Sequence, residues 1–156
     1  LAFDEEIALL MKENLDQIGF NTILNPEPWN RMTELAGKPE TTPAINEVFF
    51  SATYPSPDSF FFTQYHSAAK GTWASMEWVL DKEIDALIDK ARGTGDVAEQ
   101  NKIYKEIQRR LVENQSDVYL LTQRSQQAMS KCLTGFAWVP MMSFEFNFHT
   151  MKWSCN

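Results

Sequence analysis

The stretch DKEIDALIDKARGTGDVAEQNKIYKEIQRRL, residues 81–111, decides the fold. Ile84, Leu87, Ile88 and Ala91 recur at the i, i+3, i+4, i+7 spacing that lines one face of an α-helix. Asp81 stands just ahead, where its carboxylate accepts from backbone N–H groups that have no helical partner. Gly93 and Gly95 end that helix. Asp96 and Glu99 make a capping-box pattern for a second one, which turns Ile103, Tyr104, Ile107 and Leu111 inward.

Working outward toward the N-terminus, residues 4–18 read as another helix. Asp4 caps it, Glu5 and Glu6 suit its positive end, and Ile7, Leu10, Met11, Leu15 and Ile18 share a face. Gly19 stops it in the left-handed conformation that glycine tolerates. A short strand is expected at residues 21–24, then the turn Asn25-Pro26-Glu27-Pro28 and a short helix over residues 29–36 ended by Gly37. Val48-Phe49-Phe50 marks residues 45–52 as a buried strand. The segment Thr53-Tyr54-Pro55-Ser56-Pro57-Asp58 is too rich in proline for regular structure, and residues 60–65 suit a helical turn. Beyond the helix pair, Val118-Tyr119-Leu120-Leu121 reads as a buried strand. Phe144, Phe146 and Phe148 alternate with polar residues, the pattern of a half-buried one. This order of elements predicts an α/β fold in one domain, residues 1–156: a mixed β-sheet covered by helices.

Composition narrows the function. The chain has 156 residues and a net charge of −7, with no cluster of Lys and Arg, which excludes a nucleic-acid partner. Arg109-Arg110 falls near a helix end, where positive charge complements the dipole. No apolar run is long enough to cross a bilayer. Leu1 is not a natural initiator and no signal peptide is present, so the expectation is a piece of a longer protein. Aromatic residues reach 13%, suited to a packed core or to a ligand cleft.

Catalytic patterns are missing. His66, His149, Cys132 and Cys155 have no metal-ligand spacing, there is no nucleophile elbow, and Gly93-Thr94-Gly95 lacks the rest of a phosphate-binding loop. No metal or cofactor is called for, and the expectation is a protein that is not an enzyme. Asp58 alone sits in an aromatic, proline-braced loop, placed for either a general acid or a loop-stabilising Asx turn, the second being the commoner use. The two cysteines fit two buried thiols in a reducing compartment or one disulfide in an oxidising one.

In order and spacing these pieces resemble the C-terminal third of the dipeptide- and oligopeptide-binding protein family, the extracytoplasmic receptors of ABC importers. The likeness rests on Glu13-Asn14-Leu15-Asp16-Gln17-Ile18-Gly19-Phe20-Asn21 and on Tyr54-Pro55-Ser56-Pro57-Asp58-Ser59-Phe60-Phe61, similar to the family's loop at the ligand cleft. It also rests on Asp81 with Ile84-Asp85-Ala86-Leu87-Ile88, Ala91-Arg92 and Tyr104-Lys105-Glu106-Ile107-Gln108, and on Leu133-Thr134-Gly135-Phe136. The resemblance implies a periplasmic-binding-protein-like parent of two lobes that closes on its ligand, this chain supplying the C-terminal lobe. It implies a periplasmic location, or an extracellular, membrane-tethered one, and as partners a small solute, a membrane permease and the N-terminal lobe. It also favours a disulfide between Cys132 and Cys155, closing a loop of about 24 residues worth roughly 3 kcal/mol.

The resemblance places ligand contacts at Thr53, Tyr54, Asp58, Tyr65, Trp73 and Trp78. Relatives often carry an aspartate at the position of Thr53, where it pairs with a peptide's free amino group. A hydroxyl cannot neutralise a buried ammonium, so the expected ligand is an oligosaccharide or a modified peptide stacked on aromatic faces. The plainer role for the aromatics is to pack the lobe. The same fold also serves as the sensing domain of cytoplasmic transcription regulators, the rival expectation.

Overall fold

A computed structural model describes residues 4–122, 124, 126–139 and 146–155. Among them the chain forms α1 (Asp4–Gln17), α2 (Trp29–Leu35), α3 (Asp58–Tyr65), a 3-10 turn (Ser67–Ala69), α4 (Lys82–Gly93) and α5 (Val97–Asn114). A ribbon of β1 (Leu133–Thr134) and β2 (Lys152–Trp153) follows. The helix pair forms as its spacing dictates. Asp81 Oδ1 accepts from the N–H of Glu83 at 2.8 Å and of Ile84 at 3.3 Å, and Asp96 Oδ1 accepts from Glu99 at 2.7 Å. The turn between the helices is sealed by Gln100, whose Nε2 donates to the carbonyl of Ala91, an acceptor that α4 leaves open at its end.

The core lies where α3, α4 and α5 meet. Ile84, Ile88, Ala91 and Ile107 have no exposed surface, and Phe61 stacks on Tyr104 with ring centroids 5.3 Å apart. Phe62, Val79 and Leu87 close its edges. Burying such side chains stabilises by about 1.5–3 kcal/mol each, which is why this corner holds while α1 contributes little. Met11 and Leu15 are only half-buried, and Leu10 and Ile18 are exposed.

Among the described residues the sheet is a two-stranded antiparallel ribbon and not the larger mixed sheet expected, with Leu133 opposite Trp153 and Thr134 opposite Lys152. The chain is mixed and helix-rich. Residues 21–24 are not a strand, because side chains of α1 take the backbone groups a ladder would use. Lys12 Nζ donates to the carbonyl of Thr22 at 2.6 Å, and the Thr22 N–H donates to Asp16 Oδ1 at 3.0 Å. Residues 45–52 likewise pair with no strand among the described residues. The segment read as a buried strand at residues 118–121 is neither: Val118, Tyr119, Leu120 and Leu121 are all exposed, because no described strand lies beside them. Of the last expected strand, Phe144 and Glu145 lie outside the described residues. Asn147 and Thr150 instead close a turn that feeds β2.

Cys132 and Cys155 are joined in a disulfide, Cα to Cα 5.0 Å, immediately outside the two strands. Ser154 reinforces the same end, its N–H donating to the Cys132 carbonyl at 2.7 Å. Inside the ribbon Gly135 has φ +78°, and a Cβ there would stand 2.0 Å from the carbonyl oxygen of Thr150. Only glycine fits.

Candidate functional site

The proline-rich loop ahead of α3 is held by its own side chains. The Thr53 N–H donates to Ser59 Oγ at 2.8 Å, and the two hydroxyls meet at 2.9 Å. Tyr54 donates its phenol proton to Asp58 Oδ2. Burial and this bond to Asp58 push the Tyr54 phenol up to about 12. Asp58 is the first residue of α3, where a negative charge meets the positive end of the helix. Its other oxygen, Oδ1, faces Arg92 Nε at 3.4 Å, and the Arg92 guanidinium lies 4.1 Å from the centre of the Phe62 ring. Asp58 is therefore paired, buried and bonded within the fold. It braces the loop.

This braced loop forms one lip of a cavity of about 760 Å³. Pro55 and Pro57 line the lip, Phe60, Phe61, Gln64 and Tyr65 come from α3, and Gln108, Leu111 and Val112 from α5. Tyr119 closes the far wall, and its hydroxyl lies 3.2 Å from that of Tyr65. The lining is mostly apolar, with the two glutamine amides, Ser56 and the hydroxyls of Tyr65 and Tyr119 as its polar side-chain groups. It contains no charged side chain. Such a surface binds by shape, stacking and a few hydrogen bonds.

Of the six residues singled out from the sequence, Tyr65 lines the cavity, while Thr53, Tyr54 and Asp58 fix the loop at its edge. Burial, together with hydrogen bonds that the phenol donates toward Tyr119 and Asp117, drives the Tyr65 phenol far above its usual range, so it remains a neutral hydroxyl. Trp73 and Trp78 stand elsewhere. Trp73 packs 5.2 Å from Trp29 and 5.6 Å from Phe50, and Trp78 donates Nε1–H to Thr42 Oγ1 at 3.0 Å. The two neighbourhoods touch through Phe60, which lines the cavity and packs 5.4 Å from Phe50. Gln108, Leu111 and Val112 were not singled out, although their i, i+3, i+4 spacing on α5 was legible as one face. Tyr119 gave no such signal. Among the described residues no group of His, Cys, Asp and Glu is placed to hold a metal ion.

The chain has relatives that are binding proteins by name. It is 28% identical over 148 residues to the protein named "Probable D,D-dipeptide-binding periplasmic protein DdpA" of Escherichia coli, an alignment covering 95% of this chain and 28% of the relative. It is 24% identical over 137 residues to the oligopeptide-binding protein AppA of Bacillus subtilis, covering 87% of this chain and 24% of that protein. The resemblance to the dipeptide- and oligopeptide-binding proteins is thus shown by two relatives, and both are binding proteins by name, not enzymes. The chain spans about a quarter of the length of each. No family model matches the chain, and no solved structure does.

Proposed function

We propose that this chain is one lobe of an extracytoplasmic solute-binding protein of an ABC importer, and that the cavity beside the Tyr54–Asp58 loop receives part of a small solute. The observation that carries this reading is the fixed, uncharged cavity itself, with Tyr65 and Tyr119 on its walls and the proline-braced loop as its lip. The names of the two relatives, one a periplasmic dipeptide-binding protein and the other an oligopeptide-binding protein, support the same role. The disulfide fits an oxidising compartment such as the periplasm. A second lobe would cover the solute on closure, and a membrane permease would take it onward.

The ligand we favour is one without a free ammonium group, an oligosaccharide or a modified peptide. Thr53 carries no charge, and Asp58, the carboxylate of the loop, is already committed to Tyr54 and Arg92. An ammonium shut into this space would lose its water without gaining a counter-charge. A thermal-shift screen of the protein against free-amine peptides, N-blocked peptides and oligosaccharides tests the proposal. A ligand at a hundred times its dissociation constant stabilises by about 2.7 kcal/mol. Shifts with sugars or N-blocked peptides are expected. Strong shifts confined to free-amine peptides would overturn the ligand class and leave the binding role standing. No shift with any solute of these classes would overturn the role.

A further inference from the structure

We propose, resting on the cavity's role as a solute site, that Gln64 and Gln108 set its ligand class. The class is a bulky apolar group joined to one secondary amide, and polyhydroxylated solutes are excluded. Phe61 of α3 stacks on Tyr104 of α5 with ring centroids 5.3 Å apart. Gln64 stands three residues beyond the first ring and Gln108 four beyond the second. Each glutamine is thus about one turn along its own helix from that contact, on the same face as the ring. Both line the cavity, from two different helices.

The two amides are also uncommitted. Among the described residues no hydrogen bond engages the side chain of either. Gln100, also on α5, by contrast donates its Nε2–H to the carbonyl of Ala91 at 2.9 Å. The other polar side chains of the lining are already bonded. The Tyr65 and Tyr119 hydroxyls meet at 3.2 Å, and Ser56 Oγ accepts from the Asp58 N–H at 3.3 Å. A free primary amide offers an acceptor oxygen and two N–H donors. A pure hydrocarbon in the cavity would strip water from both amides and give no bond in return. A sugar would press several hydroxyls against a mostly apolar wall and leave most of them unpaired. One secondary amide balances the two glutamines. Its N–H donates to the Oε1 of one, its C=O accepts from the Nε2 of the other, and its apolar group meets Phe60, Leu111 and Val112.

The test is nitrogen-15 NMR on the chain, titrated with three probes. They are N-acetyl-phenylalanine methyl ester, its analogue with oxygen in place of the amide N–H, and cellobiose. The side-chain amide signals of Gln64 and Gln108 are assigned with Gln64→Met and Gln108→Met. The N-acetyl probe is expected to shift both signals and to bind about tenfold more tightly than its oxygen analogue, the factor one hydrogen bond supplies. In the double variant that preference is expected to vanish, and cellobiose is expected to move neither signal. Equal affinity of the two esters for the wild type, a preference kept in the double variant, or cellobiose bound at the glutamines overturns the proposal and leaves the cavity a binding site. If the double variant fails to fold, the wild-type comparison of the two esters decides alone. Silence from all three probes also overturns the proposal. The cavity's own role falls with it only if the thermal-shift screen is silent too.

Discussion

The phenol of Tyr54 donates to Oδ2 of Asp58 across a turn containing two prolines, while Oδ1 of the same carboxylate faces Arg92 at 3.4 Å. One carboxylate thus joins the loop to α3 and to the last turn of α4. Asp58→Ala leaves both the phenol and the guanidinium without their acceptor and is expected to cost about 2–3 kcal/mol. Tyr54→Phe removes one hydrogen bond and costs about 1 kcal/mol. Because the two share a partner, the double variant should lose less than the sum. Urea unfolding of the three proteins measures this, and strict additivity would contradict a shared network.

The helix pair supplies a contrast between two aliphatic residues. Ile88 has no exposed surface, whereas Leu10 on α1 is 60% exposed. Ile88→Ala should destabilise by about 2–5 kcal/mol, since it removes buried methylenes and leaves a void. Leu10→Ala should fall within about 0.5 kcal/mol of the wild type. Comparable losses at the two positions would mean that the core is not confined to α3, α4 and α5.

Stability should depend on pH through Glu77. Its carboxyl group has an ordinary value of 4.5 and is raised to about 7 by burial, helped by the Asp117 charge. The unfolded chain gives up this proton near 4.5 while the folded chain keeps it. Glu77's contribution is therefore complete below 4.5 and is lost as pH rises through about 7. Melting temperatures at pH 5 and pH 8 should show the decline, and Glu77→Gln should flatten that part of the profile. A wild-type profile that rises between those values would reverse the sign argued here.

The disulfide predicts two results of different kinds. Titration of the unfolded, unreduced protein should find no free thiol. Cys132→Ser with Cys155→Ser should cost up to about 3 kcal/mol, felt in the ribbon and not in the helices. Proteolysis should then begin between residues 133 and 155, with the α4–α5 pair surviving as a fragment. Simultaneous loss of both regions would show that the ribbon is part of the main cooperative unit.

If the solute lies between two lobes, this chain alone forfeits much of the contact surface. It should bind its solute about a hundredfold more weakly than the whole protein, a difference near 3 kcal/mol. Calorimetry on both decides it. Equal affinities would put the entire site in this lobe.

What the sequence revealed most clearly is local. Asp81, Asp96 and the apolar spacing of residues 84–111 carry their helices without outside help, because caps and side-chain periodicity act within a few residues. The strands failed for the opposite reason. Val118-Tyr119-Leu120-Leu121 has the composition of a strand, but a strand exists only beside another, and none lies beside it among the described residues. The candidate site divides in the same way. The Thr53–Asp58 loop could be read from its prolines, whereas the joining of Tyr65 to Tyr119, 54 residues apart, depends on how three helices pack.

The edge-to-face meeting of Trp29 and Trp73 has an optical consequence. Two indoles 5.2 Å apart and inclined at 64° couple their electronic transitions, and an asymmetric pair of that kind rotates polarised light as one chromophore. Trp29 opens α2, while Trp73 sits in the loop that leads to α4. The resulting circular-dichroism couplet would vanish whenever α2 lifted from that loop, even with every helix intact. The chain therefore carries a label-free signal for the seating of its shortest α-helix, readable in a cuvette and separable from the helical signal near 222 nm.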